Sequence, residues 1–159
     1  MADFIQLKKD NIIRIGIKDY EGNDTGEHLE FDLEDIDLPL KYQECEKKHH
    51  KNVQYVKMQF VIIDKKEDKR GKKLLSSNEE EKIKVISEFY RREMEALDLF
   101  LGEGGTKKLL NGRKPYYTMY EDINDMLVPI MPIIKKGFDN IENKIKNKYS
   151  VEKESNILE

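Results

Sequence analysis

Near Asp37 the spacing of apolar side chains along this chain changes from two to alternating threes and fours, and that change divides the fold. In "NIIRIGIKDY" the residues Ile13, Ile15 and Ile17 alternate with Arg14, Gly16 and Lys18, so the three isoleucines share one face of a strand. "HLEFDL" repeats the pattern, with Leu29, Phe31 and Leu33 inward and Glu30, Asp32 and Glu34 outward. Between them "EGNDTG" supplies turn chemistry, because Gly22 and Gly26 accept positive φ and Asn23 and Asp24 can bond their own backbone. The pattern predicts a β-hairpin over 10–34 with a longish loop. Two strands alone are marginal, so another element must cover the isoleucine face.

Beyond "DIDLP" the residues Tyr42, Cys45, His49, Val53, Val56, Phe60 and Ile63 form one helical stripe, predicting a helix over 39–63 with Asp37 as cap. The polar, aperiodic "DKKEDKRGKK" predicts a mobile linker over 64–76. A second helix over 78–101 is capped by Ser77 or Asn78, with Ile83, Ile86, Tyr90, Met94, Leu97 and Leu101 as its stripe. Gly102 is expected to stop it in left-handed conformation. Residues 102–115 then form a Gly-rich turn containing one short helical turn, Thr106 to Leu110, and a second stop at Gly112. A third helix over 116–146 carries Tyr116, Tyr120, Ile123, Leu127, Ile130 and Ile134, kinked at Pro129 and Pro132, and 150–159 is a flexible tail. The expected class is α+β: one domain, an N-terminal β-hairpin packed on three principal helices.

What such a domain can do is bounded by its charge. The chain has 159 residues, 29 basic and 32 acidic, for a net charge of −3, which leaves no large positive field for nucleic acid. Cys45 is the single cysteine, so no internal disulfide is possible and a reducing cytoplasm is expected. The first residues lack the apolar core of a signal peptide, and no apolar run approaches the roughly 20 residues of a membrane span. "GEGGTKK" fails as a phosphate-binding loop, because the Gly-Lys spacing is wrong and a helix, not a strand, precedes it. Cys45, Glu46, His49 and His50 lie within two turns of one helix, but with no second cluster they make a poor metal site. All carboxylates fall at capping or outward positions, so no acid–base constellation emerges. The expectation is a protein that binds other proteins, with no catalytic, cofactor or metal residues.

The turn narrows that class. Phe100, Gly102, Glu103, Gly104, Thr106, Lys107, Leu109, Leu110, Gly112 and Arg113, flanked by helices and preceded by an acidic hairpin, resemble the tail assembly chaperones of long-tailed bacteriophages and prophages of Gram-positive hosts. The resemblance spans about 10–145, with the turn as its specific part. Here Leu101 separates Phe100 from the glycine, Gly105 is an extra residue, and the Lys-rich linker is longer. The resemblance implies a non-enzymatic protein of the host cytoplasm, absent from the mature virion. Its partners would be the tape measure protein, kept soluble by the chaperone, and the tail tube protein that polymerises around it. A longer frameshifted form often accompanies such proteins. Phe100, Leu101, Leu109, Leu110, Tyr117 and Met126 are the expected partner-binding residues, and apolar residues beyond one stripe predict self-association. The alternative is a small nucleic-acid-associated or regulatory protein of a mobile element, supported by "KKEDKRGKK" and the lysines from Lys135 to Lys148.

Overall fold

In the computed structural model, which describes residues 3–8 and 10–150, the period-2 segments pair as a two-stranded antiparallel sheet. Strand β1 (Ile12–Lys18) lies against β2 (Asp24–Asp32) with Ile13 opposite Phe31 and Ile15 opposite Leu29. Ile17, Leu29 and Phe31 are buried. The connection is tighter than the sequence predicts, and β2 begins at Asp24. Asp19 closes the turn, its carboxylate accepting from the Glu21 and Asn23 amides at 2.9 and 2.8 Å. Gly22 supplies the positive φ of 88°.

Two long helices carry the rest. α1 (Leu38–Asp64) has Pro39 in its first turn, and α2 (Ser77–Leu101) runs back along it. Their contacts run in opposite order, from Tyr42 against Phe100 at one end to Ile63 against Asn78 at the other. The cap of α2 is Ser76, not Ser77 or Asn78: its hydroxyl accepts from Glu79 N–H while the Glu79 carboxylate returns to Ser76 N–H. Asn78 is instead buried, donating to the carbonyls of Ile63 and Lys66 at the end of α1. The segment expected to be a mobile linker is irregular, and its hydrogen bonds include Lys69 N–H to Ser77 Oγ and Ser77 N–H to Lys69 O. The buried line of α2 also differs from the predicted stripe. Ile83 is exposed, and Val85, Glu93, Ala96, Leu97, Phe100 and Leu101 face inward.

The glycine turn wraps around one carboxylate. Asp98 accepts from Gly104 N–H at 3.3 Å, from Thr106 N–H at 2.9 Å and from the Thr106 hydroxyl at 2.6 Å. Gly102 ends α2 with φ 92° and ψ 164°, an extended mirror conformation rather than the left-handed one expected. The left-handed residue is Gly104, at φ 75° and ψ 4°, which starts α3 (Gly105–Leu110). Gly105 lies so close to α2 that a Cβ there would stand 2.6 Å from the Leu101 Cβ. Asn111, also left-handed, ends α3 immediately before Gly112. Because Thr106 is fully buried, Asp98→Ala leaves its amide without a partner and its hydroxyl with only the Met94 carbonyl at 3.4 Å; a loss of about 2 kcal/mol is expected. Chemical denaturation measures this, and an unchanged midpoint would refute the role given to Asp98.

The predicted third helix starts later and breaks. α4 (Met119–Leu127) is followed by a single 3-10 turn (Val128–Ile130) and by α5 (Met131–Lys148). Pro129 and Pro132 each sit in the first turn of a new helical segment, where the missing N–H leaves no gap. α5 returns to the open end of the hairpin, so closely that a Cβ at Gly137 would lie 3.1 Å from the Leu33 carbonyl oxygen. The expected tail lies almost wholly outside the described residues. One core joins the hairpin, α1, α2 and α4, with Phe31 stacked on Phe100 at 5.1 Å and Leu97 and Met119 fully buried.

Candidate binding groove

The isoleucine face of the hairpin is covered only in part. Between β1 and the α3–α4 segment runs an open groove of about 480 Å³. One wall is six consecutive residues, Ile15 to Tyr20. Ile15 to Lys18 belong to β1, Asp19 and Tyr20 to the turn after it, and Leu29 of β2 also lines the groove, so the inward face of the hairpin forms this wall together with the outer backbone edge of β1. That edge has no strand partner, since β1 pairs only with β2 among the described residues. The other wall is apolar, with Leu109 and Leu110 from α3, Tyr116 before α4, Ile123, Met126 and Leu127 on it, and Ile130 after it. Charge sits at the rim on Lys18, Asp19 and Arg113, the Arg113 guanidinium lying 3.9 Å from the centre of the Tyr116 ring. Burial, reinforced by Asp122, raises the Tyr116 pKa, so the groove presents a neutral phenol.

Three of the six residues expected to bind a partner come together here: Leu109, Leu110 and Met126. Leu110 is buried, Leu109 half-buried and Met126 exposed. Phe100 and Leu101 are corrected to core residues, since both are buried and Phe100 is held between Phe31 and Tyr42. Tyr117 is exposed, but it lines a separate shallow crevice beside Phe89 and Tyr90. The β1 wall was not anticipated, although the need to cover three isoleucines with a third element hinted at it. The turn itself cannot cradle a phosphate in this conformation, because the Asp98 carboxylate already takes the amides of Gly104 and Thr106.

A second polar arrangement lies in the α1–α2 seam, and it corrects the expectation that every carboxylate faces outward. Glu93 is 1% exposed. One carboxylate oxygen stands 2.6 Å from His49 Nδ1, which donates to it, and the other accepts from Asn52 Nδ2 at 2.8 Å. The His49 ring stacks flat on Tyr120 from α4, with centroids 3.6 Å apart. Tyr120 also lies beside Cys45, and Tyr42 donates to Asn124 at 2.8 Å. These residues bind three helices together, and Glu93 and Tyr120 also line the small crevice of about 10 Å³ beside Phe89 and Tyr90. Cys45 and His49 are therefore part of the packing, and among the described residues no group of three or more His, Cys, Asp or Glu could hold a metal ion.

Burial pushes the Cys45 thiol up to about 11. At pH 8 the native chain should therefore react with a thiol reagent far more slowly than the same chain in denaturant. Equal rates in the two conditions would contradict the burial.

No helix among the described residues is long and apolar enough to cross a membrane. Comparison of the chain with known protein families, with curated proteins and with solved structures finds no match.

Proposed function

We propose that this protein is a non-enzymatic chaperone that holds an apolar segment of a partner protein, of the tail-assembly kind that its glycine turn resembles. The groove carries this reading. Its volume suits a few apolar side chains of a partner, and its lining is apolar while its rim is charged. The turn that carries the resemblance also builds the site, since Gly104 starts α3 and α3 presents Leu109 to the groove. On this reading the cargo is the tape measure protein, held soluble in the host cytoplasm until tail tube subunits polymerise around it. The chaperone then leaves and is absent from the virion.

The test is co-expression with fragments of a tape measure protein encoded beside this chain. At least one fragment should move from the insoluble to the soluble fraction and be retained by the tagged chain. If every fragment stays insoluble, or is soluble without the chain, the proposal fails. Salt-sensitive retention of DNA in its place would favour the nucleic-acid alternative.

A further inference from the structure

The groove is bordered by an unpaired strand edge, and the same chain carries an exposed apolar segment, outside any strand or helix, whose pattern matches that edge. Residues 3–8, "DFIQLK", precede β1 without helical structure, and Phe4, Ile5 and Leu7 are 91%, 96% and 86% exposed. We infer that this segment of a second copy of the chain adds to the β1 edge, so that two copies exchange leading strands and each fills the other's groove. The inference rests on the groove being a docking site, and it makes self-association the resting state that a cargo segment must displace.

The pairing that fits is antiparallel with Ile5 opposite Ile15. Leu7 then lies opposite Ile13, and both apolar residues share the inward face of Ile13, Ile15 and Ile17. Phe4 falls opposite Gly16, an exposed position where nothing lies within 4 Å of a Cβ, so an aromatic ring has room over the glycine. Gln6 meets Arg14, and no two like charges stand opposite each other.

The ends match in charge as well. Asp3 falls opposite Ile17, at the end of the groove lined by Arg113, where the Asp19 carboxylate is already engaged by two turn amides. Lys8 arrives near Ile12, whose β2 partner is Asp32 and whose neighbour Asn11 is bonded to Glu34. A second copy is favoured over the segment's own β1 because Asn11 is tethered to the far side of the hairpin. Leu33 N–H donates to its carbonyl at 2.9 Å, and its side chain donates to Glu34 at 3.2 Å. In this arrangement residues 3–8 stand clear of their own groove, as the open arm of an exchange does.

Two singly substituted chains with different tags, Ile5→Cys and Ile15→Cys, are mixed and oxidised. Opposed residues of an antiparallel pair sit within disulfide reach, so a covalent heterodimer is expected. The double variant Ile5→Cys/Ile15→Cys separates the alternatives. A monomer closed by an internal disulfide overturns the proposal in favour of the segment covering its own edge, and no disulfide in either experiment overturns it outright. Sedimentation provides a measurement free of cysteine. The intact chain should be dimeric, Leu7→Asp should weaken the dimer by about tenfold or more, and removal of residues 1–8 should give a folded monomer. An intact chain that sediments as a monomer overturns the proposal. Cargo solubilisation by the chain lacking residues 1–8 reports separately on the groove, so strand exchange can fail while cargo binding stands.

Discussion

Glu93→Ala is expected to cost about 3–5 kcal/mol, because removing one partner of a buried polar pair strands the others. His49 and Asn52 each lose the oxygen that satisfies them, in a seam where Glu93 itself is 1% exposed. Set against a total stability of about 5–15 kcal/mol for a domain of this kind, that loss leaves the fold marginal. Glu93→Gln should fall in between, since the amide keeps the shape and one acceptor. Glu88→Ala is the control. Its carboxylate is ion-paired with Arg91 and Arg92 at the surface, and the denaturation midpoint should hardly move. Urea titration followed by circular dichroism reads all three. A Glu93→Ala midpoint as close to wild type as that of Glu88→Ala would show that the seam does not hold the helices together.

The reason Glu93 escapes a reading of the sequence is instructive. Val85, Phe89, Glu93, Ala96 and Phe100 follow one another at helical steps, but a search for apolar periodicity discards the acid and prefers the neighbouring stripe through Ile83. What makes Glu93 tolerable inside lies 41 and 44 residues earlier, on Asn52 and His49, and no local pattern reports it. The α1 stripe was legible because its own inward positions, among them Tyr42, Cys45, Val53, Val56, Phe60 and Ile63, are mostly apolar, and the hairpin because alternation needs only neighbours. The break after Leu127 was legible too, since a proline removes its own N–H wherever it sits. In "GEGGT" the sequence offers three glycines for one helix stop. Which of them turns left-handed depends on where the Asp98 carboxylate reaches, and that is a property of the folded turn. The groove is further still from local pattern. Its walls, Ile15 to Tyr20 and Leu109 to Ile130, are about ninety residues apart, and only the packing of α3 and α4 beside the hairpin opposes them.

Leu109 and Leu110 are adjacent in sequence, yet the fold gives them opposite fates. Leu110 is buried in the core, so Leu110→Asp puts a carboxylate among apolar neighbours with nothing to bond it. Burying an unpaired charge is among the few changes that exceed 4 kcal/mol, and this variant is expected to be unfolded or insoluble. Leu109 is half-buried on the groove wall, with part of its side chain already in water. Leu109→Asp should therefore fold, with helical content close to wild type. Its loss appears when a partner would have covered the leucine. Completing the burial of one such side chain is worth roughly 1.5–3 kcal/mol at most, a factor of about ten to a hundred in affinity. In co-expression Leu109→Asp should leave the cargo fragment insoluble while remaining soluble itself, and Leu109→Ala should show a smaller loss. Circular dichroism on the purified variants separates folding from binding. If Leu109→Asp folds and still solubilises the cargo as wild type does, the groove is not the working surface and the glycine turn is only a hinge between helices. If Leu110→Asp folds as well as Leu109→Asp, the assignment of the two leucines to core and groove is wrong.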